Sequence, residues 1–262
     1  MPDVESSNVS RLLRVLEALA TGPTSAARLA AQLDAHPRTV RRLLQRLAEE
    51  GYAEPVPDDR GSYVATIKVV ELAGRVLERT DLVRLAFPYV ARLRNATGEA
   101  AHFSVPGADG VLHLIQETGH SVVMVKPRLG EQVPYHATAS GKVLLAWLPR
   151  LRDTVLGGPL PRFTDKTITE PDRLRRELAA VRERGYAVDE LENSVDLRCV
   201  AAPVFDHSGT AVGCVGISAP ALRMSAEQAR EVAVHVVDTA QELSRTIGFV
   251  SLTAVVGRGD HR

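Results

Sequence analysis

The stretch Pro37–Gly51, PRTVRRLLQRLAEEG, decides the reading of the first part of this chain. At about 100° per residue, Val40, Leu43, Leu44 and Leu47 fall on one side of a helix. Arg38, Arg42 and Gln45 fall on the opposite side, with Arg41 and Arg46 at its margins. One face is suited to a core and the other to anions. No acidic residue interrupts the run from His36 to Leu47, and Pro37 suits the first helical position, where a missing N–H has no partner to lose. A solvated surface helix carries the same pattern, so the flanking sequence has to distinguish a DNA reader from a polar face.

Upstream, Leu12, Leu13, Val15, Leu16 and Leu19 recur at helical spacing until Thr21-Gly22-Pro23 closes the segment. Thr24 or Ser25 then caps a second helix through Ala27, Leu29, Ala30 and Leu33, which stops near Asp34-Ala35-His36. Two helices parted by so short a turn have helix-turn-helix spacing. Downstream, Tyr52–Pro55 and Ser62–Ala65, joined by the turn-rich Val56–Gly61, read as the hairpin of a wing. In such a module the second helix enters the major groove, where arginine bonds guanine in a bidentate way. Arg38, Thr39, Arg42 and Gln45 are therefore the base-edge candidates. Arg41, Arg46 and, in the wing, Arg60 are placed to meet phosphates. Overall charge lends no support, because 32 basic residues match 32 acidic ones and residues 1–66 hold eight arginines against nine acids. Any attraction to DNA rests on a local stripe acting within a Debye length of about 8 Å.

Beyond the wing, Ile67, Val70, Ala73, Val76 and Leu77 continue at helical spacing. A helix restarts at Thr80-Asp81 with Leu82, Leu85, Ala86, Tyr89, Val90 and Leu93 on one side. The pair reads as a helical linker that either supplies dimer contacts or packs on its own domain. Pro88 predicts a kink or a delayed start in its second helix. From Gly98 the period changes. Glu99–Val105, Val111–Glu117 and Ser121–Lys126 read as strands, Thr138–Leu148 as a helix ended by Pro149, and Pro171–Arg184 as another helix. Strand patterns return at Tyr186–Glu190, Arg198–Phe205 and Ala211–Ser218, and a long helix runs from Ser225 to about Ile247. The mixture indicates an α+β class and not a doubly wound parallel sheet. Val250–Arg262 reads as a frayed tail.

Composition is that of an ordinary globular chain, 262 residues with 45% hydrophobic and 24% charged. Cys199 and Cys214 are too few and too far apart for a zinc site or a disulfide framework, as in a reducing cytosol. The first ten residues lack the basic region of a signal peptide, and no apolar run approaches the ~18 residues of a membrane span. A cytoplasmic protein is expected. Chemistry motifs are sparse. Gly141-Lys142 suggests a P-loop, but His136 stands where glycine is required and Val143 where a hydroxyl residue is required. A small-molecule-processing enzyme using Cys199 and His136, with Asp189, remains the alternative, although nothing in the spacing brings the three together. No metal or other cofactor is implied.

Taken together these stretches resemble the IclR-type family of bacterial transcription regulators. TSAARLAAQLDAHPRTVRRLLQRLAEEGYAEP is similar to the family's helix-turn-helix and wing. YHATASGKVLLAWLP, ERGYAVDELENSVDLRCVAAPVFDHSG and VGISAPALR are similar, in the same order, to the marks of its effector-binding domain, so the likeness spans about Val9 to Ile247. The resemblance implies a winged helix-turn-helix DNA-binding domain over 1–66 and a helical linker with dimer contacts over 67–97. It further implies a GAF-like effector-binding domain over 98–249, an antiparallel sheet with helices, leaving 250–262 as a flexible tail. It also implies a ligand-responsive regulator and not an enzyme, acting as a homodimer or dimer of dimers on a near-palindromic double-stranded operator.

The same resemblance places the sensing cleft between the start of the TASGK helix and the strands carrying Cys199 and Ser218. A helix amino-terminus offers free N–H groups and a positive dipole end to a carboxylate, and Thr138 and Ser140 add hydroxyls. Asp189, Cys199 and Ser218 correspond to pocket positions of the family. Gly141, together with Gly213 and Gly216, either admits a ligand close to backbone or marks tight packing. His102, Phe103, Met124 and Tyr135 either line the apolar side or belong to the core. The expected effector is a small organic acid or an aromatic metabolite. Three departures stand out: the wing ends Tyr63-Val64-Ala65-Thr66 where members typically have tyrosine, a basic residue, leucine and glycine, Gly216 stands where many have serine, and Ser218-Ala219-Pro220 stands where many have serine, glycine and proline.

Overall fold

A computed structural model of the chain describes residues 8–57, 59, 61–72, 81–119 and 132–249. Arg60, Met124, the strand expected at Ser121–Lys126 and the tail at 250–262 lie outside the described residues. The chain divides into two compact units, Met1–Thr80 and Asp81–Arg262.

In the first unit the apolar spacing produces α1 (Asn8–Ala20), α2 (Ala26–Gln32) and α3 (Pro37–Glu49). The Ser25 side chain caps α2 by accepting from Arg28 N at 3.4 Å. His36 caps α3, its Nδ1 accepting from Arg38 N at 3.2 Å, with Pro37 next in the first helical position. Asp34, at φ 46°, makes the left-handed step between the two helices. Val15, Leu19, Leu29, Val40, Leu43, Leu44, Leu47 and Ala53 share one core, and each fully buried leucine contributes roughly 1.5 to 3 kcal/mol. The wing consists of β2 (Ala53–Pro55) and β3 (Ser62–Ala65), antiparallel with Ala53 opposite Ala65 and Pro55 opposite Tyr63. A third strand, β1 (Thr24–Ser25), pairs with the other edge of β3. Periodicity gave no sign of it, since two residues have no period.

The second unit begins with α4 (Asp81–Thr97), which holds Pro88 in its interior, so the delayed start expected there does not occur. Burial explains the tolerance: Ala86, Val90 and Leu93 are fully or almost fully buried in the same core as α8 (Ala226–Ile247), and that packing offsets one lost backbone hydrogen bond. Tyr89 and Arg92 reinforce the contact through Thr246 and Glu242 of α8. The second of the two expected linker helices is thus packed into this unit's own core, while 73–80, the end of the first, lie outside the described residues. Strands β4 (Ala100–Pro106), β5 (Val111–Glu117), β6 (Gln132–Val133), β7 (Ala187–Glu190), β8 (Leu197–Phe205) and β9 (Ala211–Pro220) form one sheet in the order β6-β5-β4-β9-β8-β7. All its described pairings are antiparallel.

Alternation along the strands makes two cores. Ala101, Phe103, Val200, Ala202, Val204, Val215 and Ile217 face α4 and α8. Ala187, Ala201 and Cys214 face α5 (Ala139–Trp147) and α7 (Pro171–Arg184). With both faces covered, β8 and β9 read as nearly continuous apolar runs. Pro149 does more than end α5: it is the first residue of a further helix, α6 (Pro149–Leu156), because the same missing N–H that stops one helix suits the start of the next. Among the described residues no helix is long and apolar enough to cross a membrane.

Candidate functional site

The solvent face of α3 gathers Arg38, Thr39, Arg41, Arg42 and Gln45, with His36, around one shallow depression of about 490 Å³. Arg46 stands apart from them: its Nη1 pairs with Glu49 Oε2 at 2.9 Å, in an exposed i,i+3 contact of the kind worth little.

A larger cavity, of about 630 Å³, opens on the α5 face of the second unit's sheet. Cross-strand register builds its floor. Asp189 of β7 lies opposite Cys199 of β8, Cys199 opposite Ser218 of β9, and Ser218 opposite Ala100 of β4, so a row of side chains crosses four strands on one face. Thr138 and Ser140 bring the start of α5 to the wall. Five of the six expected effector residues, Thr138, Ser140, Asp189, Cys199 and Ser218, thus line one cavity.

Gly141 does not line it. A Cβ at that position would stand 2.0 Å from the Tyr135 carbonyl oxygen, so the glycine serves close packing beneath the helix start and not ligand approach. Gly213 and Gly216 are packing positions too, held against β4 at Ser104 and His102. Gly216 makes room for the His102 ring, whose Cε1 an added Cβ would approach to 2.6 Å. Of the residues expected on the apolar side, His102 reaches the cavity, while Phe103 and Tyr135 belong to the two cores.

Several lining residues carried no sequence signal. His113 and Gln116 come from β5, Asn193, Ser194 and Asp196 from the connection into β8, and Leu197 from the first position of β8. Alternation along β5 offered a clue to His113, but only the pairing with β4 brings it to the site. Ser104 Oγ lies 3.1 Å from His102 Nδ1 and 2.7 Å from His113 Nδ1, and the two rings are 4.8 Å apart. Burial, and then the neighbouring His113, hold the His102 imidazole well below its ordinary pKa, so it is neutral at physiological pH.

Burial also dominates the floor. It pushes the Asp189 carboxyl up to about 7, against the loop N–H groups and the Lys142 charge that favour the ionised form. Asp189 Oδ1 accepts from Glu192 N at 2.7 Å and from Asn193 N at 3.3 Å. Burial and then the Asp189 charge push the Cys199 thiol up to about 12, and its Sγ–H donates to Ser218 Oγ at 3.2 Å. A neutral thiol is a poor nucleophile. His136 is engaged elsewhere, its Nε2 lying 2.9 Å from Pro161 O, and it does not line the cavity. The Cys199–His136–Asp189 constellation is therefore not assembled. What remains is a recognition site of hydroxyls, an amide-rich loop, two imidazoles and a carboxyl on a helix amino-terminus. The Thr138 hydroxyl is committed to structure, accepting from Gly141 N at 3.1 Å and donating to Pro134 O at 2.7 Å. The first N–H groups of α5 have no intrahelical acceptor.

Comparison with known proteins places both units in one family. Residues 8–57 match the family model described as the IclR helix-turn-helix domain, and residues 74–245 match the bacterial transcriptional regulator IclR C-terminal domain. The chain is 34% identical over 239 residues to the HTH-type transcriptional regulator BhcR of Paracoccus denitrificans, covering 90% of this chain and 85% of the relative. It is 33% identical over 213 residues to KdgR of Escherichia coli, covering 80% and 81%. Among solved structures, Thermotoga maritima IclR superposes with a TM-score of 0.72 at 29% identity, over 92% of this chain and 98% of the other. An IclR homologue from Microbacterium hydrocarbonoxydans, in complex with 4-hydroxybenzoate, does so with a TM-score of 0.78 at 26% identity, over 92% and 100%. With both domain models met in order along one chain, each on the unit that bears its site, this protein belongs to the IclR family of bacterial transcriptional regulators.

Proposed function

We propose that this regulator acts in the cytoplasm as a homodimer or dimer of dimers on a near-palindromic operator, and that a small organic or aromatic acid in the α5 cavity alters its DNA affinity. Residues 1–66 form the DNA-binding domain in this reading, with Arg38, Thr39, Arg42 and Gln45 toward base edges and Arg41, Arg46 and Arg60 toward phosphates. Residues 98–249, joined by α4, form the effector-binding domain. The observation that carries the reading is the convergence of Thr138, Ser140, Asp189, Cys199 and Ser218, from one helix and three strands, on one cavity. The ligand class follows from the wall. A carboxylate seats at the α5 amino-terminus beside Ser140, and a hydroxyl or ring edge reaches Asp189, His102 and His113. The relative that binds 4-hydroxybenzoate carries both features in one ligand.

A thermal-shift screen of small organic acids and aromatic metabolites, 4-hydroxybenzoate included, tests this directly, because a ligand selective for the folded state raises its melting temperature. Compounds that stabilise the wild-type chain are expected to lose most of that effect in Ser140→Ala and Asp189→Ala. Stabilisation left intact in both variants would place the ligand elsewhere.

A further inference from the structure

Lys142 lies one helical turn into α5 with its side chain only 1% exposed. Lysine is almost never buried unless it is paired, and its partner here is Glu192, whose side chain is 7% exposed and whose Oε1 receives the Lys142 ammonium. Glu177 of α7 stands further off, at 3.9 Å. Glu192 Oε2 is buried without a hydrogen-bond partner among the described residues, so the compensation for burying this carboxylate falls mainly on Lys142. A buried pair of this kind is weak evidence for stability, since apolar residues of the same volume often serve as well. Its position suggests what it does instead.

Glu192 is the second residue of the connection, 191–196, that leads from β7 into β8. Asn193, Ser194 and Asp196 of that connection, with Leu197 at the head of β8, line the effector cavity, and Ser140, two residues before Lys142, lines the facing wall. Leu191 sits at φ 63°, in the left-handed region that a leucine rarely occupies. Neighbours hold it there: Thr164 Oγ1 donates to Leu191 O at 2.7 Å and Thr167 Oγ1 to Glu192 O at 2.6 Å. From the cavity side, Asp189 Oδ1 accepts the Glu192 and Asn193 N–H groups. Of these ties, the Lys142–Glu192 pair joins the loop to α5.

We infer that Lys142 and Glu192 are positioning residues of the sensing cavity, a buried strut that fastens the 191–197 wall to the α5 wall and sets the charge environment of Asp189 between them. The inference rests on reading the cavity as the effector site. The groups facing Asp189 are Lys142 from α5, Glu192 from its own loop and Cys199 from β8, with His102, His113 and Asp196 sharing the cavity. Lys142 favours the ionised carboxylate and Glu192 opposes it.

The test uses the full chain without ligand, comparing wild type with Lys142→Met and, as the isosteric alternative should that variant fail to fold, Glu192→Gln. Amide hydrogen exchange is followed by mass spectrometry over 190–198 and over α8, and the Asp189 carboxyl is titrated by carbon NMR. Expected is exchange over 190–198 at least about tenfold faster with α8 unchanged, as for a local opening. The Asp189 titration is expected to move to higher pH in Lys142→Met and to lower pH in Glu192→Gln. Exchange that is unaltered, or that rises equally in α8, would overturn the inference, and so would a fixed Asp189 titration. The effector reading itself fails separately, if no compound in the thermal-shift screen stabilises the wild-type chain.

Discussion

Asp189 is a residue whose chemistry the fold alters strongly. Its carboxyl rises from an ordinary 3.8 to about 7 because it is buried, so the native chain holds that proton more tightly than the unfolded chain does. The stability this proton confers is complete below about pH 4 and is lost as pH rises toward about 7, after which it stays level. Asp189→Asn keeps an oxygen for the two loop N–H groups and has no charge to desolvate. It is expected to be more stable than wild type at about pH 8, by on the order of 1 to 3 kcal/mol, and so to melt at a higher temperature, with the gap closing toward about pH 4. Melting curves across that range check it, and a gap independent of pH would contradict the assignment. On α3, Arg42→Ala is expected to cost roughly 1 to 3 kcal/mol of operator affinity and to relax base preference at one position. Arg46→Ala should weaken binding to all duplexes alike, and titration at several salt concentrations separates the two. Gly141→Ala brings its Cβ to 2.0 Å from the Tyr135 oxygen; a loss of about 1 to 3 kcal/mol or more in thermal unfolding is the outcome expected of such overpacking. That contact joins residues six apart through a backbone path no local pattern displays, which is why the glycine read equally well as a ligand contact.

At the scale of elements, the legible parts are those with a long period or a strong cap. Helix α7 runs over Pro171–Arg184 as its spacing and the following Gly185 require. Helix α8 starts after Ser225, whose side chain and that of Gln228 form a reciprocal capping box. Ser225→Ala should therefore lower the second unit's stability by about 1 kcal/mol, measured by denaturant unfolding, without altering DNA affinity in the folded chain. Elements defined by long-range pairing were not legible. Strand β1 exists because β3 has a free edge beside Thr24 and Ser25, and α6 begins at a proline that reads equally well as a stop. The site shows the same division. Asp189, Cys199 and Ser218 entered through resemblance, and the register that aligns them is set by the pairing of β7, β8 and β9. Lys142 and Glu192, 50 positions apart, had no pattern to connect them.

For the whole molecule, the charge balance gives a constraint. With equal numbers of acidic and basic residues, the net charge adds little nonspecific attraction to DNA, and in the proposed reading binding depends on the α3 face meeting a matching operator. In the proposed reading an effector shifts DNA affinity only by as much as its own affinity differs between DNA-bound and free protein. The most direct test is fluorescence anisotropy of a duplex selected from a random pool by the full chain, titrated with and without a saturating compound from the thermal-shift screen. The account predicts a selected, near-palindromic duplex whose affinity the compound changes by roughly 5- to 150-fold, with the change abolished in Asp189→Ala while ligand-free affinity is retained. A chain that selects no sequence, or an affinity that a bound compound leaves unaltered, would contradict it.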